Sequence, residues 1–126
     1  MKNYSALHVH SHYSLMDGLS KPLQIADRCK EVGITSCAIT DHGSISGAVQ
    51  FFSAMKNQGI KPILGCEIYV CKESPEIKNK TNSKLSHFLL LSKNYEGWRS
   101  LINIISESNL ECNFYRKPRL DFNTLA

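Results

Sequence analysis

The chain has 126 residues, enough for one buried core but well short of the ~250 that a complete eight-stranded α/β barrel takes. A hydrophobic share of 42% and a charged share of 21% exclude a disordered chain. No apolar run nears the ~20 residues of a membrane span, and MKNYSALHVH has no signal-peptide core, so the expected location is the cytoplasm, with no membrane partner. The net charge of +4 is mild, and without clustering it reads as a solvated basic surface before it reads as a nucleic-acid footprint. The five cysteines (Cys29, Cys37, Cys66, Cys71, Cys112) contain no CxxC pair and read mostly as small buried hydrophobes in a reducing compartment.

In chain order, residues 4–10 (YSALHVH) predict a short strand, followed by a polar loop through Leu19. A helix over 20–33 is expected with Ser20 as cap, Pro22 in its first turn, Gly33 at its end, and Leu23, Ala26 and Cys29 on the buried face. TSCAIT (35–40) predicts a second strand, and 46–58 a second helix with Val49, Phe52 and Met55 inward and Gly59 stopping it. A third strand is expected at 63–70. CKESPEIKNKTNSK (71–84) has no apolar periodicity and reads as a surface excursion. LSHFLLLS (85–92) predicts a fourth strand buried on both faces, and Asn94 caps a helix to about Ser108 with Trp98, Leu101, Ile102 and Ile105 inward. Residues 109–126 look irregular. Strands alternating with helices through short connections imply an α/β fold with parallel strands and right-handed crossovers, in which ligands collect at the carboxyl ends of the strands.

That rule draws attention to the residues at those ends. His8 and His10, two apart on a strand, project to one face, whereas a lone histidine is more often structural. Asp41 and His42 follow the second strand in ITDHG. Glu67 and His87 interrupt apolar strands, which is costly for a carboxylate unless it is paired or holds a metal. Asp17 stands in the first loop before Gly18 and would otherwise cap a turn, and His12 reads as solvated. Histidine and carboxylate together, without thiolates, favour zinc, manganese or iron in an open catalytic site over a closed structural one. Glu67 has two oxygens with which to bridge neighbouring ions, an arrangement suited to phosphoester hydrolysis. No P-loop and no GxSxG elbow is present, which disfavours nucleotide hydrolysis of the P-loop type and serine hydrolysis.

The segments HVHSHYSLMDG, AITDHGSISGAVQF and GIKPILGCEIYV resemble, in order and spacing, the first blocks of the PHP (polymerase and histidinol phosphatase) domain as found in DNA polymerase III alpha subunits. The likeness continues through HFLLLSKNYEGWRSLINIIS and FYRKPRLDF. It implies a distorted seven-stranded (βα)7 barrel with up to three divalent metal ions. Motif for motif, His8, His10 and Glu67 would hold one ion, Glu67 and His87 a second, and Asp17 and His42 a third, with Glu67, Asp17 and His42 acting catalytically through the metals. Because the family completes its site with a later cysteine or histidine and an Asp-x-His pair, residues 1–126 are expected to be the amino-terminal portion of the domain. The implied function is a metal-dependent phosphoesterase of the 3′ to 5′ exonuclease type inside a replicative polymerase, with DNA and other polymerase subunits as partners. The alternatives are a non-catalytic module supporting the polymerase and a free-standing histidinol-phosphate-like phosphatase, against which SLMDG and KPRLD argue. In the tail, Arg116, Lys117 and Arg119 beside Tyr115 are candidates for contact with a nucleic-acid backbone, the competing reading being a solvated terminal segment.

Overall fold

The computed structural model describes residues 4–125. Helix α1 spans Pro22–Val32 and leads into strand β1, Ser36–Ile39; helix α2, Ala48–Asn57, leads into the long strand β2, Lys61–Val70. After the excursion come β3 (Ser86–Leu91), α3 (Tyr95–Ser108), the two-residue β4 (Arg119–Leu120) and the short α4 (Phe122–Leu125).

β2 organises the sheet. Its first half pairs in parallel with β1, Ser36 opposite Lys61 through Ile39 opposite Leu64. That line of pairing continues through a parallel bridge from His42 to Glu67 and ends at β4, where Arg119 lies opposite Tyr69. β1, the His42 turn and β4 thus line up along β2. β3 pairs with it in antiparallel fashion, from Gly65 opposite Leu91 to Val70 opposite Ser86. The sheet is therefore mixed, and the expectation of parallel strands throughout is corrected at β3. A return through a 15-residue irregular excursion, Cys71 to Leu85, carries no helix to enforce a crossover, so the direction of β3 is free to reverse. Nor is β3 buried on both faces: Phe88 and Leu91 are exposed.

Two apolar clusters hold the layers. Ile25, Ala26 and Cys29 of α1 pack with Phe51, Ala54 and Met55 of α2 and with Cys37 and Ile39 of β1. Cys66, Ile68 and Val70 of β2 pack on Leu101 and Ile105 of α3. Both of the first two helices turn about one residue from the expected phase. α1 buries Pro22, Ile25, Ala26 and Cys29 and leaves Leu23 exposed; α2 buries Ala48, Phe51, Ala54 and Met55 and leaves Val49 and Phe52 exposed. The sets 22, 25, 26, 29 and 48, 51, 55 are the better i, i+3, i+4, i+7 stripes. Pro22, whose fixed φ belongs at the first helical position, makes Lys21 the cap residue in place of Ser20. On α3, Asn94 accepts from the Gly97 amide as expected, and Ile102 lies at the exposed margin.

Residues 4–10 do not form the predicted strand. Ala6 bridges to Cys37, the Ala38 amide donates to Ala6 O at 2.7 Å and the Thr40 amide to Val9 O at 2.8 Å. Three residues on one side thus match two on the other, a bulge that breaks the ladder. The Val9 amide turns to the Thr40 hydroxyl instead, at 2.9 Å.

The excursion after β2 is pinned by Arg119. This side chain is wholly buried and donates to the carbonyls of Asn113, Asn82, Pro75 and Ile77. The expectation that Arg119 contacts nucleic acid is corrected accordingly, because its guanidinium is spent inside the protein. Replacing it with an apolar chain of similar length strands those carbonyls. Arg119→Met is expected to cost about 3 kcal/mol in urea unfolding and to open 71–84 to proteolysis; an unchanged midpoint would contradict this account of the loop.

Candidate metal centre

Strand alternation sets the base of the site. Cys66, Ile68 and Val70 face the α3 cluster, which sends Glu67 and Tyr69 to the other face of β2. His87 lies opposite Tyr69 on β3 and so shares that face. Two turns bring the remaining groups. The His42 turn is tied to β2 by Glu67 N to Asp41 O at 3.1 Å and Gly43 N to Glu67 O at 2.9 Å. The loop from Ser11 to Gly18 closes through Asp17 N and Gly18 N onto Ser14 O at 3.0 and 2.9 Å. Gly18 presses on that loop so closely that a Cβ would lie 2.0 Å from Ser11 O.

All six candidates meet. His8 Nε2 and His10 Nε2 lie 2.5 and 2.9 Å from Glu67 Oε2, and 3.0 Å from each other. His87 Nδ1 is hydrogen-bonded to Glu67 Oε1, with His42 Nδ1 3.7 Å from the same oxygen. Asp17 Oδ2 sits 3.2 Å from both His10 Nδ1 and His42 Nε2. The donor atoms form three overlapping groups, His8/His10/Glu67, His10/Asp17/His42 and His42/Glu67/His87, each within 4.8 Å. His10 and His42 therefore belong to two groups each, a sharing not expected from the motifs. The site is buried at its base and open at its rim: the Glu67 side chain is 6% exposed, those of His8, His87 and Asp17 about half.

The donor set fits divalent metal. Imidazole nitrogens and carboxylate oxygens converge within 4.8 Å in each group, the mixed nitrogen and oxygen donor set that an open divalent-metal site uses. His42 Nδ1 is buried with no hydrogen-bond partner and lies 3.7 Å from Glu67 Oε1, so a metal ion between them would satisfy it. Burial pushes the His42 pKa down against the pull of Glu67, favouring the neutral, metal-binding imidazole. Burial alone would raise the Glu67 pKa, but hydrogen bonds from His8 and His87 overcome it and hold the carboxyl below its usual range. Cys66, the thiol next to Glu67, faces the α3 core instead of the site, and burial there pushes its pKa up to about 12.

One set of positioning residues was not expected from the sequence. Asp41, fully buried, accepts from the Ser11 amide at 2.6 Å, the Ser11 hydroxyl at 2.8 Å and the Ser14 hydroxyl at 2.8 Å. Ser14 Oγ in turn lies 3.1 Å from His10 Nδ1 and accepts from the His42 amide at 3.0 Å. One carboxylate thereby fixes the first loop against the second turn. The aspartate was legible from TDHG, but its serine partners look like any loop serines. Of the tail residues, Arg116 and Lys117 are exposed beside the site; in the first loop His12, expected to be solvated, is half-buried, with its ring on Tyr13 and its Nδ1 out of contact with water.

Two outcomes follow. Asp41→Ala leaves three buried donors unpaired, so about 3 kcal/mol of stability should be lost, with the imidazole NMR signals of His10 and His42 moving more than that of His87; unmoved signals would remove Asp41 from the site's support. In chelator-treated protein, both shifted groups act in one direction. The folded state disfavours protonated His42 and protonated Glu67, so stability is complete above the ordinary values of 6.5 and 4.5 and falls as the pH drops below each in turn. Thermal unfolding across that range should show midpoints declining toward acid; a flat profile would contradict it.

The PHP domain family model matches residues 6–126. The chain is 40% identical over 120 residues to the DNA polymerase III subunit alpha of Helicobacter pylori, covering 95% of this chain and 10% of that protein. It is 44% identical over 117 residues to the corresponding subunit of Borreliella burgdorferi, covering 91% and 10%. The chain thus spans about a tenth of the length of these relatives. Among solved structures, an amidohydrolase from Chromobacterium violaceum with bound sulfate superposes with a TM-score of 0.57 at 24% identity, over 82% of this chain and 34% of that one. A proposed metal-dependent phosphoesterase from Bifidobacterium adolescentis gives 0.57 at 22%, over 79% and 32%. At these identities the two structures speak for the fold alone. With its motifs, its mixed sheet and the family match over nearly all its length, the chain belongs to the PHP domain family.

Proposed function

We propose that this chain is the amino-terminal portion of the PHP domain of a DNA polymerase III alpha subunit, and that it carries a metal-dependent phosphoesterase site of the 3′ to 5′ exonuclease type. The observation that carries the reading is the convergence of three histidine and carboxylate donor groups on Glu67 and its neighbours. Identity of 40% or more to DNA polymerase III alpha subunits supplies the polymerase context, with DNA as substrate and replicative subunits as partners. Among the described residues no helix is long and apolar enough to cross a membrane.

Zinc, manganese or iron would be held by His8, His10 and Glu67, by Glu67 and His87, and by Asp17 and His42, since a neutral imidazole has one lone-pair nitrogen and serves one ion at a time. Bound there, the ions would supply a hydroxide at neutral pH and charge neutralisation for a phosphoryl group. The chain's own residues do the rest. Glu67 sets the spacing of the groups by committing one oxygen to His8 and His10 and the other to His87 and His42. Asp17 orients the inner imidazoles of His10 and His42. The neutral form of His42 that burial favours offers one lone-pair nitrogen as a ligand. The exposed rim at His8, Asp17 and His87 admits a substrate phosphate without any opening motion.

The test is hydrolysis of a single-stranded oligonucleotide labelled at its 5′ end. The full chain should shorten it stepwise from the 3′ end with added manganese or zinc. Chelator should abolish this, and His10→Ala should lower the rate by at least about a hundredfold, as loss of a metal ligand does. Equal rates for wild type and His10→Ala would sink the phosphoesterase reading.

A further inference from the structure

We propose that the turn Tyr115 to Lys117 is a second phosphate subsite of the same centre, in which Lys117 and Arg116 take the phosphodiester next to the scissile one on a single-stranded polynucleotide. The proposal rests on the phosphoesterase reading for the position of the scissile phosphate and deepens it by naming the residues that would hold the neighbouring phosphate.

Four observations place the turn there. First, Tyr69 connects it to the metal-binding groups: its ring stands edge-on to His87 at 5.0 Å and stacks on His42 at 5.7 Å, while its hydroxyl accepts from Lys117 Nζ at 3.1 Å. Lys117 Nζ also lies 4.3 Å from the centre of that ring. Second, a cleft of about 250 Å³ runs between Ser83, His87, Tyr69, Arg116 and Lys117, so the cations and a candidate ligand share one opening. Third, among the described residues neither Arg116 nor Lys117 has a carboxylate within 4.0 Å, whereas the nearby Arg119 is spent on carbonyls. The two exposed cations are the ones left for an outside anion. Fourth, the turn is seated on the His42 turn itself: a Cβ on Gly43, whose φ is +57°, would meet Pro118 Cγ at 2.7 Å and Tyr69 Cε2 at 3.2 Å. The tight approach fixes the basic turn relative to His42.

The backbone of the turn is held in an unusual state. Arg116 has φ +62°, a region that non-glycine residues enter at a cost of about 1 kcal/mol. The Tyr115 amide donates to Lys117 O at 3.2 Å, and Arg119, lying 5.2 Å over the Tyr115 ring, anchors the turn from behind. A pair of cations on the far side of Tyr69 from His87 offers a second anion position, which successive phosphodiesters of a polynucleotide would use and a monoester with a single phosphate would not.

The test measures affinity of the full chain for a short fluorescent oligothymidylate with cleavage-resistant phosphorothioate linkages, by anisotropy across a salt series with manganese present. Arg116→Asn, which tolerates positive φ, combined with Lys117→Met should weaken binding about tenfold and reduce the log affinity against log salt slope by about 1.4, or 0.7 per lost phosphate contact. Lys117→Met alone, which leaves the strained position intact, should reduce it by about 0.7 and decides the matter if the double variant unfolds. Lys117→Arg should restore the slope. The charge-matched control Lys30→Ala with Lys56→Ala, on α1 and α2, should change neither. Wild-type affinity and slope in the Lys117 variant, or equal losses in the control, would overturn the subsite. Binding that depends on Lys117 in a protein without hydrolytic activity would count against the phosphoesterase reading and leave the subsite standing.

Discussion

The structure depends on one buried carboxylate. Glu67 sits in the middle of β2, with an apolar neighbour on each side feeding the α3 core and its own side chain almost wholly removed from water. An isolated charge there would be prohibitively costly, and the fold compensates by bringing imidazoles from three other segments to its two oxygens. The sheet is arranged so that this can happen. β1 and the turn after it align His42 with Glu67 along one edge of β2, and β3 returns antiparallel to set His87 on the same face. The bulged segment before the first loop adds His8 and His10.

A second carboxylate, Asp41, does the corresponding work for the loops. Its three donors come from Ser11 and Ser14, and Ser14 also touches both His10 and His42. The sequence TDHG thus combines two tasks in adjacent residues: the aspartate faces inward to fix the frame, and the histidine faces the site. Gly43 completes the turn by letting Pro118 and Tyr69 close over it. Core, site and basic turn are therefore one connected body, and Arg119 extends it to the excursion of residues 71–84.

Much of this was legible in the sequence, and the failures have physical causes. Histidines two apart, a carboxylate inside an apolar strand and an Asp-His pair after another strand are conspicuous because each is costly unless used, so all six site candidates could be named. Helix phase was misread because Leu23, Val49 and Phe52 are apolar yet face outward, and hydropathy does not separate a core stripe from an exposed apolar margin. β3 direction left no mark, since a strand reads the same either way. Arg119 was read as solvated or as a DNA contact because arginine is rarely buried; its neighbours Arg116 and Lys117 are chemically similar in sequence and differ only in where the backbone turns them. The serines supporting Asp41 carry no signal of their own.

The claim most exposed to test is that Glu67 joins the donor groups into a metal centre. Elemental analysis of the full chain purified without chelator should find zinc, manganese or iron in stoichiometric amount, and Glu67→Gln, which keeps the shape and removes the charge, should lose most of it while still folding. Metal content unchanged in Glu67→Gln, or no metal in the wild type after reconstitution with all three ions, would contradict the account.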